Sequence, residues 1–160
     1  MVVIKNLKYS FDLKGFEGAL LPETGKVPWG LGEGVYLHKN RDIVKLSELE
    51  LPVGVYAIYF DNVKCPFCRI FDAVWESLLR DEDLKGIKFV TVVCTYFHKK
   101  CSDETAKQMY MRFKVTRSPT VILYDNREGE RVVELLPSRY KYDYMLIKNE
   151  LQKFLAQAGR

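Results

Sequence analysis

The chain has 160 residues, 48% hydrophobic and 29% charged, with a formal net charge of +4. That length and apolar content suit one domain with an ordinary buried core and exclude a disordered chain. The charge is small and spread along the sequence, which excludes a nucleic-acid-binding block and leaves only a preference for acidic partners open.

In chain order, Val2 to Ile4 is expected to be a short strand. Gly15 to Gly34 carries six glycines and two prolines and reads as loop. Val35 to His38 is a strand, and Ile43 to Leu49 is expected to be a short helix or turn. Val53 to Phe60 is continuous, β-branched and aromatic, as a buried strand is. A helix runs from about Pro66 to Arg80, with Ile70, Phe71, Val74, Trp75, Leu78 and Leu79 on one face. Ile87 to Val93 is a second buried strand. Ser102 to Phe113 is the next helix, with Ser102 expected as its cap. Thr120 to Tyr124 and Arg131 to Leu136 form a hairpin around the turn Asp125 to Gly129. Tyr142 to Ala158 is a closing amphipathic helix, with Ile147, Leu151, Phe154 and Leu155 inward.

Alternating units followed by a hairpin predict an α/β fold with a mixed central sheet and helices on both faces. Residues 1–34 are expected to be an irregular N-terminal extension and residues 35–160 the main domain. Met1 to Phe11 lacks a basic-then-apolar leader, and Val53 to Phe60, the longest apolar run, is too short to cross a bilayer. A soluble, cytoplasmic and complete product is expected, with no membrane or nucleic-acid partner.

Four cysteines need a reason in such a chain. Cysteines of cytosolic proteins usually bind metal or carry redox chemistry, and in hyperthermophiles they also form structural disulfides. Abundant Lys, Arg, Glu and Tyr with little Gln lean toward a thermophile. Cys65-Pro66-Phe67-Cys68 lies between a strand and a helix. A sulfur at a helix start meets unpaired N–H groups and the positive end of the dipole, which favour the thiolate. Pro66 suits the first helical position. One turn brings Cys68 to the same side, where the pair can close a disulfide, and Lys64 adds a cation. The division of labour expected is an exposed, attacking Cys65 and a more buried, resolving Cys68.

Downstream, Arg117-Ser118-Pro119-Thr120 precedes a strand and resembles the cis-proline loop of thioredoxins. Together with the CxxC at a strand–helix junction, it makes residues 35–158 look like a thioredoxin-like protein. The resemblance implies a thioredoxin fold with an N-terminal extension. It implies a cis Pro119 packed against Cys65 and Cys68, with Arg117, Ser118 and Thr120 beside it, and a substrate chain held as an added strand. It further implies a thiol–disulfide oxidoreductase, a reductase in direction, with no cofactor. Its partners would be protein disulfide substrates and an electron-donating reductase. The chain departs from that pattern at Lys64, where thioredoxins carry Trp, and at Pro66-Phe67, closer to glutaredoxins. At Tyr59 thioredoxins bury an acid, and Asp61, on the same strand face, is the candidate substitute. Arg69 matches the Lys common after the pair.

Other readings stand beside this one. A disulfide oxidase or isomerase, or a non-catalytic adaptor, would use the same fold. A zinc site built from both cysteine pairs and His98 is disfavoured by the Cys-x6-Cys spacing of the second pair. Cys94 and Cys101 are open to a structural disulfide, a second redox pair, or two independent thiols. His38 and His98 stand alone. Phe71, Trp75, Tyr110 and Phe113 read as core. Phe16 and Trp29 are expected to cover a sheet edge or apolar face, with partner binding as the alternative, and Arg117 is either a reader of acidic substrates or simply exposed.

Overall fold

The computed structural model describes the backbone of residues 2–4 and residues 27–158. Among the described residues, seven strands form one mixed sheet in the order β1-β3-β2-β5-β4-β6-β7. They are β1 (Val2–Ile4), β2 (Gly34–Lys39), β3 (Asp42–Leu46), β4 (Val55–Asn62), β5 (Lys88–Cys94), β6 (Thr120–Asp125) and β7 (Arg131–Leu135). Three α-helices accompany them: α1 (Pro66–Leu79), α2 (Glu104–Arg112) and α3 (Tyr144–Ala158). No described helix is long and apolar enough to cross a membrane.

β4 is central, parallel to β5 on one side and antiparallel to β6 on the other. All eight of its residues are buried, which explains its unbroken apolar run. Alternation then sorts its side chains between two cores. Ala57 and Tyr59 face Phe71 and Trp75 of α1 and Ile147 and Leu151 of α3. Tyr56, Ile58 and Phe60 face Ala106, Met109 and Tyr110 of α2. The sheet is thus covered on both faces, as the strand–helix alternation predicts. Trp75 is fully buried; its indole N–H donates to Thr91 Oγ1 at 2.9 Å.

Three sequence expectations need correction. Ile43–Leu49 is neither helix nor turn: Asp42–Leu46 is strand β3, paired with β2 across a two-residue turn at Asn40 and Arg41. Asn40 supplies the left-handed backbone (φ 53°) that such a hairpin needs. Ser102 does not cap α2; Asp103 does, its carboxylate accepting from Ala106 N at 2.9 Å, while Ser102 N–H is taken by Glu33 at 3.0 Å. The closing helix begins at Tyr144, not Tyr142. Lys141 and Tyr142 are left-handed (φ 52° and 54°), and Asp143 accepts from Leu146 N at 3.0 Å.

β1 pairs with β3 at the sheet edge. Val27, Trp29 and Leu31 are buried, with Trp29 packed on the His38 ring at a centroid distance of 5.5 Å. His38 accepts or donates to Thr91 Oγ1 at 2.7 Å, and burial pushes its pKa down to about 3. Phe16 lies outside the described residues.

Candidate active site at the Cys65–Cys68 turn

Both parallel strands end at one edge of the sheet, and β6 begins there. The backbone after β4 is tied to the backbone after β5 by Val63 N–H to Cys94 O (2.9 Å) and Lys64 N–H to Thr95 O (3.1 Å). Asn62, fully buried, reinforces this: its Oδ1 accepts from Phe97 N at 2.7 Å and from Tyr110 Oη at 2.9 Å. Cys65 is the N-cap of α1, with extended backbone (φ −103°, ψ 114°), and Pro66 opens the helix.

Cys65 and Cys68 are unbonded thiols. Cys68 is fully buried, as expected. Cys65 is only 6% exposed, against the expectation of an exposed sulfur; it belongs to the core cluster against which Tyr142 packs. The Ser118–Pro119 bond is cis, and Ser118 Oγ lies 2.9 Å from Cys68 Sγ. Pro119 and Thr120 are buried, and Thr120 Oγ1 donates to Arg117 O at 2.8 Å, closing the loop on itself. Arg117 and Lys64 are exposed. The ring of Phe67, 51% exposed, stacks on Tyr142 at 6.4 Å with an interplanar angle of 4°.

The two thiols differ sharply in acidity. The Cys68 thiol, then the Ser118 hydroxyl and the backbone N–H groups of Cys68 and Phe67, favour the Cys65 thiolate against the opposing effect of burial and bring its pKa to about 6. Hydrogen-bond donors around Cys65 carry this lowering. Burial, followed by the demands of Cys65 and the charge of Asp61, pushes Cys68 well above the ordinary thiol range. The pair therefore joins an acidified thiol to one held protonated.

Beneath the pair lies a buried charged cluster. Arg69 is 2% exposed, Asp61 0% and Asp72 1%. The guanidinium binds Asp61, reaches Asp72 Oδ2 at 2.8 Å through Nε and donates to Val63 O at 3.2 Å. Tyr59 donates to Asp72 Oδ1 at 2.9 Å, and its hydroxyl lies 3.1 Å from Cys68 O. Two buried carboxylates against one guanidinium would leave an uncompensated charge, which is costly. Burial raises the pKa of both carboxyls, Asp72 further than Asp61, and the charge of Asp61 pushes Asp72 up again. A proton retained on Asp72 would balance the cluster.

Cys94 and Cys101 are joined as a disulfide with Cα atoms 4.9 Å apart. These two sulfurs are therefore spent on each other and make no four-thiolate metal site with Cys65 and Cys68. Among the described residues no group of three or more His, Cys, Asp or Glu side chains is placed to hold a metal ion.

Tyr59, Asp61, Cys65, Pro66, Phe67, Cys68, Ser118, Pro119 and Thr120 meet at one site, with Lys64 and Arg117 on its rim. Sequence reading missed Asp72, Asn62 and Tyr142. Asp72 was within reach: it lies four residues after Cys68 and three after Arg69, on the face of α1 that turns inward. Asn62 and Tyr142 gave no such signal, since their roles depend on distant loops. Compared with family models, with curated proteins and with solved structures, the chain matches none.

Proposed function

We propose that this protein is a cytoplasmic thiol–disulfide oxidoreductase of thioredoxin type that reduces protein disulfides through Cys65 and Cys68. The observation that carries this reading is the meeting of an acidified Cys65 thiol at a helix start, a buried Cys68 and a cis Ser118–Pro119 bond with Ser118 2.9 Å from the Cys68 sulfur. The Cys65 thiolate attacks one substrate sulfur, forms a mixed disulfide and expels the other sulfur as a thiolate, which takes up a proton. Cys68 then gives up its proton and attacks Cys65 Sγ. The second substrate sulfur leaves, and a Cys65–Cys68 disulfide remains. Substrate gains two electrons and two protons; a dithiol donor restores the enzyme.

Cys65 is the only plausible first nucleophile of the two, because its pKa of about 6 leaves it mostly thiolate at neutral pH while Cys68 stays protonated. That value lies near the roughly 7 of thioredoxin and far from the roughly 3.5 of a strong oxidant, which favours a reductase over an oxidase. Asp61, the carboxylate whose charge bears on Cys68, is the candidate to take the Cys68 proton. The test is reduction of an insulin-type disulfide protein with a dithiol donor. Turnover lost in Cys65→Ser supports the reading; no turnover by the wild-type protein with any dithiol donor favours a non-catalytic adaptor.

A further inference from the structure

Folding gathers charge that the sequence disperses. Residues 63–65 and 95–102 follow the parallel strands β4 and β5, while 113–119 precedes β6 and 136–142 follows β7, so all four segments lie at the thiol edge of the sheet. The contacts already described join them: Val63 to Cys94, Ser118 to Cys68, Phe67 to Tyr142. These segments hold Lys64, Lys99, Lys100, Lys114, Arg117, Arg139 and Lys141, all exposed, and none of the chain's 21 Asp and Glu. The rest of the chain has 18 basic residues against 21 acidic ones. Among the described residues outside these segments 13 are basic and 18 acidic, so the positive charge of the described residues is concentrated around Cys65.

Three of the acids that border this edge are engaged elsewhere, and Glu48 and Glu50, exposed after β3, are separated from β4 by β2 and β5. Glu33 accepts from Thr95 N at 3.0 Å, Thr95 Oγ1 at 3.1 Å and Ser102 N at 3.0 Å. Asp103 caps α2 and pairs with Lys45 at 3.7 Å, and Asp143 caps α3. None of the seven cations is ion-paired to a carboxylate of the described residues. Amid them stand two large exposed aromatic side chains, Phe67 and Tyr96, at 51% and 46% exposure.

We propose that this edge is a docking surface for an acidic polypeptide: a disulfide-bearing segment whose cysteine is flanked by Asp or Glu and by an apolar side chain that rests on Phe67. The inference deepens the redox reading by naming its substrate class, and rests on it for the chemistry. Unpaired like charges around a cleft raise the local concentration of oppositely charged ligand and speed its capture. An aromatic ring half in solvent beside the nucleophile gives the apolar neighbour a place to lie. A polyanion without a disulfide, such as a nucleic acid, would have no use for the thiols at the centre of the ring of charge.

The test uses three peptides of equal length, each with one Phe-Cys disulfide and with Glu, Ser or Lys flanks. Binding is measured on redox-inert versions with Ser for Cys, and reduction on the disulfides. The Glu peptide should bind at least about tenfold more tightly than the Lys peptide at low salt, with the ratio shrinking as salt rises. The double variant Lys99→Glu, Lys141→Glu should bring the ratio close to one. Equal or reversed binding of the three peptides overturns the proposal, as does tighter binding of a labelled single-stranded oligonucleotide than of the Glu peptide. If none of the disulfides is reduced, the redox reading fails by itself, and the binding ratio still decides the docking surface.

Discussion

Ser118 Oγ lies 2.9 Å from Cys68 Sγ although 50 residues separate them in the chain. The contact joins a loop on one side of β6 to the first turn of α1, and it bears on the acidity of both cysteines. Ser118 favours the thiolate of Cys65 and, more weakly than burial opposes it, that of Cys68.

Alkylation of Cys65 should therefore follow a pH midpoint of about 6. Because the hydrogen bond from Cys68 is the largest cause of that lowering, Cys68→Ala should move the midpoint up toward the ordinary thiol value, and Ser118→Ala should move it up by less. Rates of iodoacetamide modification against pH check both. A midpoint unchanged in Cys68→Ala contradicts the assignment.

The buried cluster makes a stability prediction. Arg69→Ala leaves Asp61 and Asp72 without their cation and should cost about 3–5 kcal/mol. The sign of its pH dependence follows from the carboxyls, whose folded pKa values are raised. A carboxyl that holds its proton in the folded state contributes stability at low pH and loses it as pH rises. The deficit of Arg69→Ala should shrink on going from neutral to mildly acid pH, as urea denaturation of both proteins will show.

His38 makes the opposite contribution. Its pKa in the folded protein, about 3, is below the ordinary 6.5. The unfolded chain binds the proton more readily, so stability is intact above about pH 6.5 and falls as pH drops toward 3. His38→Gln should flatten the acid limb of a stability–pH curve without changing it at neutral pH beyond a constant offset.

The second cysteine pair closes an eight-residue segment against Asn62. Cys94→Ser with Cys101→Ser should cost about 2–3 kcal/mol by loop entropy. Asn62→Ala should cost about the same, since it strips Phe97 N–H and the Tyr110 hydroxyl of their acceptor. Both variants should still be alkylated at Cys65. Calorimetric melting together with the alkylation assay tests this.

What the sequence made legible was whatever local spacing controls. The period of α1, the unbroken apolar run of β4 and the position of Cys65 before Pro66 are properties of neighbouring residues, and they placed the site. The turn at Asn40 was legible in principle, but β3 gives a short apolar run that helix and strand share. The boundary errors at Ser102 and Tyr142 have one cause: a carboxylate one residue on, at Asp103 and Asp143, is the better cap. The cluster of Asp61, Arg69 and Asp72, the stacking of Tyr142 on Phe67 and the crowding of cations at one edge depend on how distant segments meet. No spacing rule reveals those, because they belong to sheet order rather than to any one element.

The most direct measurement of the central claim is the intact mass of Cys68→Ser after exposure to a disulfide peptide, followed by peptide mapping. With the Cys68 thiol removed, the protein should accumulate one mixed disulfide, located on Cys65. No adduct, or an adduct on Cys94 or Cys101 instead, would contradict the role given to Cys65.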